Sequence, residues 1–395
     1  MRIVSRMSDD FLSLSRDKWR ELPAGGEILG RTFSGELLEL DDASLIAQWR
    51  VMNDAAQIPD VRGWFHCLYS DLFAGRRVVE VGSGFGFDGI HFLAQGAHWT
   101  FSDLVLDNLN LVRRVVDHLG LGERASYLQV ENERSFSGLK GEPADAIWAI
   151  GSLHHAPFDI ARTETLDLLR HLKTGGRWIE LTYPYERWLR EGSLPFSEFG
   201  KRTDGERTPW AEWYDLEKVK RRLFPSRTTT ILDFTTGGGN FGWVDLQIGE
   251  INPDVRPSPE IGLMGYPAIA MNKASLKTSP KEWRLVCPKR IWWYGMSVDL
   301  KAAMQKLGPR PFPGLSYAID LELDVQVGSV GVVLAGDHVD NFVGRERVLD
   351  ARPSAHRVTV MTYDDAEPVQ LLVRNTMHDV ASQVRIRSAT LRFAA

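Results

Sequence analysis

Cysteine is scarce in this chain: Cys67 and Cys287 are the only two in 395 residues. They form no C-x-x-C pair and have no cluster of histidines beside them, so neither a disulfide framework nor a zinc site is expected, and no other metal ligand set stands out. A reducing, cytoplasmic compartment is the simplest expectation. Long apolar runs are missing too. None approaches the roughly 18 residues that span a bilayer, and Met1 to Arg16 alternate basic, acidic and apolar residues without the core of a signal peptide. Nor is there an excess of either charge: 47 Lys and Arg against 52 Asp and Glu leave a net charge of -5, which provides no basic footprint for nucleic acid. Internal repeats and low-complexity tracts are absent. These absences leave a chain whose partners are small molecules or neutral polymers such as glycans.

At 395 residues the chain exceeds one ordinary domain, and 43% hydrophobic with 25% charged residues is the balance of a globular protein. Residues 1–75 carry helical patterns at 43–53 and 63–73 and no strand alternation, which predicts a helical cap over a site. From residue 77 the pattern alternates: strands at 77–81, 98–102, 125–130, 144–150 and 176–182, helices at 87–95, 105–119 and 160–173. Such alternation builds a parallel sheet covered by helices. Leu109, Val112, Val116 and Leu119 recur at helical spacing and read as core. Residues 183–226, rich in Trp, Tyr, Pro and charge, interrupt the alternation as a lid; extended segments at 228–234 and 241–248 flank a glycine run that reads as a hairpin turn. After Asn252, Pro253, Pro257, Pro259, Pro267 and Pro280 mark 253–315 as a linker, with Trp292, Trp293 and Tyr294 expected to pack the domains together. Strands at 317–327, 330–335, 345–350, 357–362, 369–374 and 383–393 then predict an all-β sandwich, jelly-roll-like, over 316–395. Within it, Asp337-His338-Val339-Asp340 reads as a polar turn in preference to a calcium site.

The stretch Val78-Val79-Glu80-Val81-Gly82-Ser83-Gly84-Phe85-Gly86-Phe87-Asp88-Gly89 reads as a buried strand, a glycine-rich turn and a helix start, the place for a nucleotide-bearing cofactor. Gly84, Gly86 and Gly89 spell G-x-G-x-x-G, which brings NAD or FAD into consideration. The carboxylates of Glu80 and Asp88 argue the other way. A pyrophosphate at the helix N-terminus would be repelled, whereas S-adenosylmethionine (SAM) carries an ammonium and a sulfonium cation and no phosphate. The next strand ends at Asp103, about 20 residues beyond the first glycine, the usual distance of an acid that accepts from ribose hydroxyls.

In these residues the chain resembles the class I SAM-dependent methyltransferases, whose E-x-G-x-G-x-G motif is matched by Glu80, Gly82, Gly84 and Gly86. The resemblance implies a Rossmann-like α/β sheet ending in an antiparallel hairpin. It also implies SAM as cofactor, with Glu80, Gly82, Ser83, Gly84, Gly86, Asp103, Asn132 and Leu153 as its contacts.

Chemistry is expected at the end of strand 144–150, where the chain reads Gly151-Ser152-Leu153-His154-His155-Ala156-Pro157. A histidine titrates near neutrality, as a general base for a hydroxyl acceptor must. Either His154 or His155 fits, His155 being preferred as lying further into the crevice. DNA and protein amine methyltransferases of this fold usually carry Asn or Asp followed by Pro-Pro-Tyr here, and this chain does not. On the acceptor side, Tyr183, Tyr185, Arg187, Arg207, Trp210 and Trp213 offer aromatic faces with interleaved charges, suited to stacking on a sugar and bonding its hydroxyls.

Residues 20–250, including Phe241-Gly242-Trp243-Val244-Asp245-Leu246, also resemble bacterial surface-polysaccharide methyltransferases, which implies O-methylation of a sugar hydroxyl in a glycan or its precursor. The alternatives are methylation of a natural-product hydroxyl or amine, and a glycan-binding scaffold built on a degenerate methyltransferase domain. The C-terminal module would suit carbohydrate recognition or a homodimer contact.

Overall fold

Helices α1 (Arg2–Trp19), α2 (Ser34–Leu38), α3 (Asp42–Ala56) and α4 (Trp64–Phe73) precede the first long strand, and two three-residue strands, β1 (Glu21–Pro23) and β2 (Arg31–Phe33), pair between α1 and α2. The computed structural model describes all residues except 1, 24–29, 252–259, 311–314, 354, 364–365 and 395. They fall into two units, 1–223 with 230–250, and 224–229 with 251–395. No helix among the described residues is long and apolar enough to cross a membrane.

The first unit is built on a seven-stranded sheet: β3 (Arg77–Val81), β4 (His98–Asp103), β5 (Ala125–Gln129), β6 (Ala144–Ile150), β7 (Leu172–Thr182), β8 (Ser226–Thr236) and β9 (Phe241–Ile251). Their order is β5-β4-β3-β6-β7-β9-β8, with the first five parallel and β9 antiparallel to β7. Helices α5 (Phe87–Ala94), α6 (Leu106–His118) and α7 (Phe158–Leu169) make the crossovers. In the central strands β3 and β6 most residues are buried, as expected of a sheet covered on both faces. One core joins α3–α6 to the sheet through Trp49, Phe65, Phe92, Trp99 and Trp148, and the other packs Ile147, Leu168, Trp178 and Val219. The sheet therefore has the Rossmann-like, mixed parallel and antiparallel form implied by the resemblance.

The predicted lid holds three helices, α8 (Tyr185–Arg190), α9 (Phe196–Asp204) and α10 (Leu216–Leu223). Glu180 on β7, next to this lid, is fully buried and paired with the equally buried Arg222 of α10. A charge without water needs such a partner.

Gly89 shows how closely α5 lies on the sheet. A Cβ there would stand 2.2 Å from Phe101 Cε1 and 2.4 Å from Trp99 Nε1, so the third glycine of the motif is required for helix-on-strand packing. Gly89→Ala is expected to destabilise the first unit by about 1–3 kcal/mol, the usual cost of overpacking, read as a lower midpoint in denaturant unfolding. An unchanged midpoint would show that α5 can shift away from the sheet.

The second unit is all antiparallel. Strands β10 (Ile261–Gly262), β11 (Ala268–Ala270), β12 (Ser275–Thr278), β13 (Trp283–Val286) and β14 (Tyr294–Asp299) lie before the short helix α11 (Lys301–Leu307). They are followed by β15 (Ser316–Val327), β16 (Ser329–Ala335), β17 (Arg347–Asp350), β18 (His356–Met361), β19 (Gln370–Asn375) and β20 (Gln383–Ala394). One sheet runs β12-β13-β20-β15-β18, with β10 on β20, and the other β11-β14-β19-β16-β17. From β13 onward the chain passes repeatedly between the two sheets, an order consistent with the expected jelly roll.

The expected linker over 253–315 is corrected in its described part, because β10–β14 and α11 belong to these sheets and their packing. These strands are two to six residues long, too short between prolines for alternation to stand out, although Trp283 and Leu285 face inward while Arg284 and Val286 face out. The opening of the linker, 253–259, lies outside the described residues. Tyr294 starts β14 and donates from its hydroxyl to Val339 O and to Asp340 Oδ1, each at 2.9 Å, which ties the Asp337–Asp340 turn to the sheet.

Candidate active site

The carboxyl ends of β3, β4 and β6 open into a cavity of about 770 Å³ in the first unit. That size is ordinary for a small-molecule site. Its wall includes Glu80, Gly82, Ser83, Gly84, Asp103, Asn132, Leu153, His155, Tyr183 and Arg187 from the expected set.

At the glycine turn, Gly82 has φ +76°, and a Cβ there would come within 2.7 Å of Ser152 Cβ in the turn after β6. A side chain would close the passage between the two loops. Ser83 Oγ donates to Ser102 O at 3.1 Å, fastening the turn to β4. Gly86 precedes α5 as its left-handed cap; it shapes the turn without being among the wall residues. Asp103 accepts from the Gly84 and Val105 backbone N–H groups at 2.9 and 2.8 Å and from Asn108 Nδ2 at 3.2 Å. Burial nonetheless pushes its carboxyl up to about 6. Glu80 accepts from Trp99 Nε1 at 2.8 Å, and burial together with the neighbouring Asp88 raises its carboxyl as well.

Asp88 is compensated within the protein. It pairs with Arg62 at 2.6 Å and His66 at 2.8 Å and accepts from Trp148 Nε1 at 3.0 Å. Despite its burial, Arg62 and His66 hold its carboxyl well below the usual range. With Asp88 compensated by Arg62 and His66 and the Glu80 carboxyl raised, the repulsion of a pyrophosphate expected from both acids is weaker than two free carboxylates would give.

Asn132 lies exposed at the cavity rim, where its Oδ1 caps the following turn by accepting from Arg134 N at 2.9 Å. Glu164 on α7, which sequence reasoning did not single out, has its carboxyl pushed up to about 7 by burial and also reaches the wall.

The two histidines separate clearly. They occupy a single turn, Leu153–His155, after β6. His154 is 1% exposed and is not a wall residue; its ring lies 4.2 Å from that of Tyr183. Burial lowers it well below the ordinary histidine value.

His155 faces the cavity. Its Nδ1 is 3.2 Å from Trp210 O, its Nε2 is 3.9 Å from Asp204 Oδ2, and its ring lies 4.5 Å from that of Trp19. With the proton on Nδ1 donated to the Trp210 carbonyl, Nε2 keeps its lone pair. Burial lowers His155 even though Asp204 opposes the shift, so the ring is neutral near neutral pH. Asp204 accepts from the Tyr183 hydroxyl at 3.0 and 2.9 Å and from Thr203 Oγ1 at 2.7 Å. This arrangement can take a proton from a hydroxyl and stabilise the imidazolium formed.

Of the six acceptor-side residues, Tyr183 and Arg187 line the cavity; Tyr185, Arg207, Trp210 and Trp213 do not. Tyr185 and Trp213 pack on each other at 4.8 Å, Trp210 on Phe196 at 5.4 Å, and Arg207 binds Glu21 at 2.8 Å. A lid must bury aromatics of its own, and spacing alone does not say which face the cavity. The wall also holds Trp19, Arg31, Trp64, Phe65, Asp204 and Phe241. Trp19 and Arg31 come from the N-terminal segment, which carries no motif. Asp204 sits in a polar run where nothing sets it apart.

The site's donor set fits SAM. Glu80 and Asp103 provide acids at the ends of adjacent strands, the turn at Gly82 cannot hold a side chain, and the buried Ser152 Oγ has no hydrogen-bond partner among the described residues.

No protein-family model and no curated protein matches the chain. Solved structures do. An O-methyltransferase family protein from Burkholderia thailandensis is 18% identical, covering 55% of this chain and 67% of that one, with TM-score 0.37. Magnesium protoporphyrin IX methyltransferase from Synechocystis PCC 6803, with bound S-adenosylhomocysteine (SAH), is 16% identical, covering 62% and 99%, with TM-score 0.40. The Burkholderia thailandensis 1,6-didemethyltoxoflavin-N1-methyltransferase is 17% identical over 55% and 89%, with TM-score 0.36. The likeness is distant, and the chemistry of the site is read from its own residues.

Proposed function

We propose that the first unit is a SAM-dependent methyltransferase that methylates a hydroxyl of a small molecule or glycan precursor. The observation that carries this reading is one cavity holding both the Glu80, glycine-turn and Asp103 constellation and a neutral, tautomer-fixed His155. Glu80 and the glycine turn would hold the methionine end and Asp103 the ribose, with Leu153 and the Asn132 loop beside the adenine. When bound, SAM supplies an activated methyl group. His155 orients the acceptor hydroxyl and takes its proton at Nε2, and Asp204 steadies the resulting charge.

A sugar hydroxyl is our first acceptor class, supported by Tyr183, Arg187 and Asp204 meeting at the base. A natural-product phenol is the second reading, favoured by Trp19, Trp64, Phe65 and Phe241 on the same wall. The test is transfer of labelled methyl from SAM to paired panels of sugars and phenols, with calorimetric titration of SAM and SAH. Binding with transfer to a hydroxyl supports the reading. Absence of binding to either ligand turns it to a scaffold on a degenerate domain, and transfer to amines alone removes the hydroxyl assignment.

A further inference from the structure

The charges on the acceptor side of the cavity are of a different kind from those on the cofactor side. Around Glu80 and Asp103 the uncompensated groups are acids. Around His155, Lys18 lies 3.0 Å from Glu21, Arg207 lies 2.8 Å from the same carboxylate, and Arg31 stands between Glu21 at 3.5 Å and Asp204 at 3.6 Å. Arg187 adds a fourth cation, its guanidinium 4.1 Å above the Tyr183 ring. Four cations thus meet two carboxylates within a chain whose net charge is -5.

Two of these cations line the cavity and are incompletely satisfied. Among the described residues the Arg31 guanidinium makes its two long ion pairs and no side-chain hydrogen bond. Arg187 spends Nη1 on Asn240 O at 3.1 Å, while its buried Nε has no partner among the described residues. Both reach His155 through the same intermediaries: Arg31 faces Asp204, Arg187 covers Tyr183, and Tyr183 donates to Asp204.

We propose that Arg31 and Arg187 bind an anionic group of the acceptor, a carboxylate or phosphate, and thereby set which hydroxyl faces His155. The proposal rests on the methyltransferase reading and narrows its substrate to an anionic hydroxy compound, such as a uronic acid, a sugar phosphate or a phenolic acid. Guanidinium groups suit both oxyanions because their N–H donors match the oxygens two at a time. A fixed anion beside the reacting hydroxyl also supplies orientation, which the largely aromatic wall does not.

The test is calorimetric titration of the SAH-saturated protein with matched probes: glucuronate against glucose, para-hydroxybenzoate against para-hydroxybenzyl alcohol, and inorganic phosphate. The anionic member of at least one pair is expected to bind on the order of 10- to 100-fold more tightly, the range of a charge-assisted hydrogen bond. Raised salt is expected to reduce that preference. Arg31→Gln and Arg187→Gln are each expected to remove most of it while SAH affinity, the control for folding, stays at the wild-type value. Tight binding of phosphate with neither carboxylate assigns the anion as phosphate. Equal affinity within both pairs together with no phosphate binding overturns the proposal, as does a preference that survives in both variants; normal SAH binding then leaves the methyltransferase reading standing. Loss of SAH binding in the wild type overturns that reading and the proposal with it.

Discussion

His155→Ala is expected to lower kcat by about 10²–10⁴-fold, the range for a positioned general base, with SAH affinity unchanged. His154→Leu is expected to keep turnover. The difference follows from where one turn directs two adjacent rings: His155 lines the cavity, and His154 lies behind it against Tyr183. Because burial lowers His155, its neutral form persists below the ordinary value of 6.5. The acid limb of kcat/KM should therefore fall below pH 6.5, and the rate should be lost only as pH drops through the lowered value. The stability linkage has the same sign: this group's contribution is complete above the unfolded value and declines as pH falls through the folded one. Asp204→Asn removes the charge that opposes the shift, so it should move the acid limb lower still and reduce kcat less than His155→Ala does. Retained turnover in His155→Ala would remove the base assignment, and an unmoved acid limb in Asp204→Asn would separate Asp204 from it.

The sheet was legible because its signal is local. Val78 to Gly89 carry strand, turn and helix start in one run, and β6 and the glycine turn after β3 occupy the residues expected of them. Asp103 was legible because chain distance along a βαβ unit converts almost directly into space. The acceptor wall was not, since it is assembled from α1, β2, the Pro59–Gly63 turn, α9 and the β8–β9 connection, which no spacing relates. Trp210 shows the limit well. Its indole was read as a sugar platform, yet its indole packs on Phe196 and its backbone carbonyl is what approaches His155. In the same way β10–β14 stayed hidden because prolines divide them into runs too short for alternation to register.

Asp103→Ala is expected to abolish measurable SAH binding, and Asp103→Asn to weaken it strongly. The carboxylate has two jobs that the geometry links: it accepts from Gly84 N–H, fixing the glycine turn, and it presents its remaining lone pairs to the cavity. A ribose diol that donates to it would replace part of the hydration lost on burial, which is the cause of its raised value of about 6. The sign of the pH effect follows. Ligand hydroxyls favour the ionised form, so SAH should bind most tightly above pH 6 and weaken as the pH falls through it. Binding measured near that pH should also release a proton, visible as a calorimetric enthalpy that changes with the ionisation enthalpy of the buffer. In the free protein the same raised value runs against folding: the carboxyl's contribution is favourable at low pH and is lost as pH rises from the unfolded value through about 6. Asp103→Asn would remove that cost but must turn its amide NH2 toward the backbone N–H of Gly84 or of Val105, each now bonded to a carboxylate oxygen. It should therefore unfold at a lower temperature than the wild type at neutral pH and bind SAH less well. A variant that lost stability and kept affinity would show that Asp103 serves the turn alone.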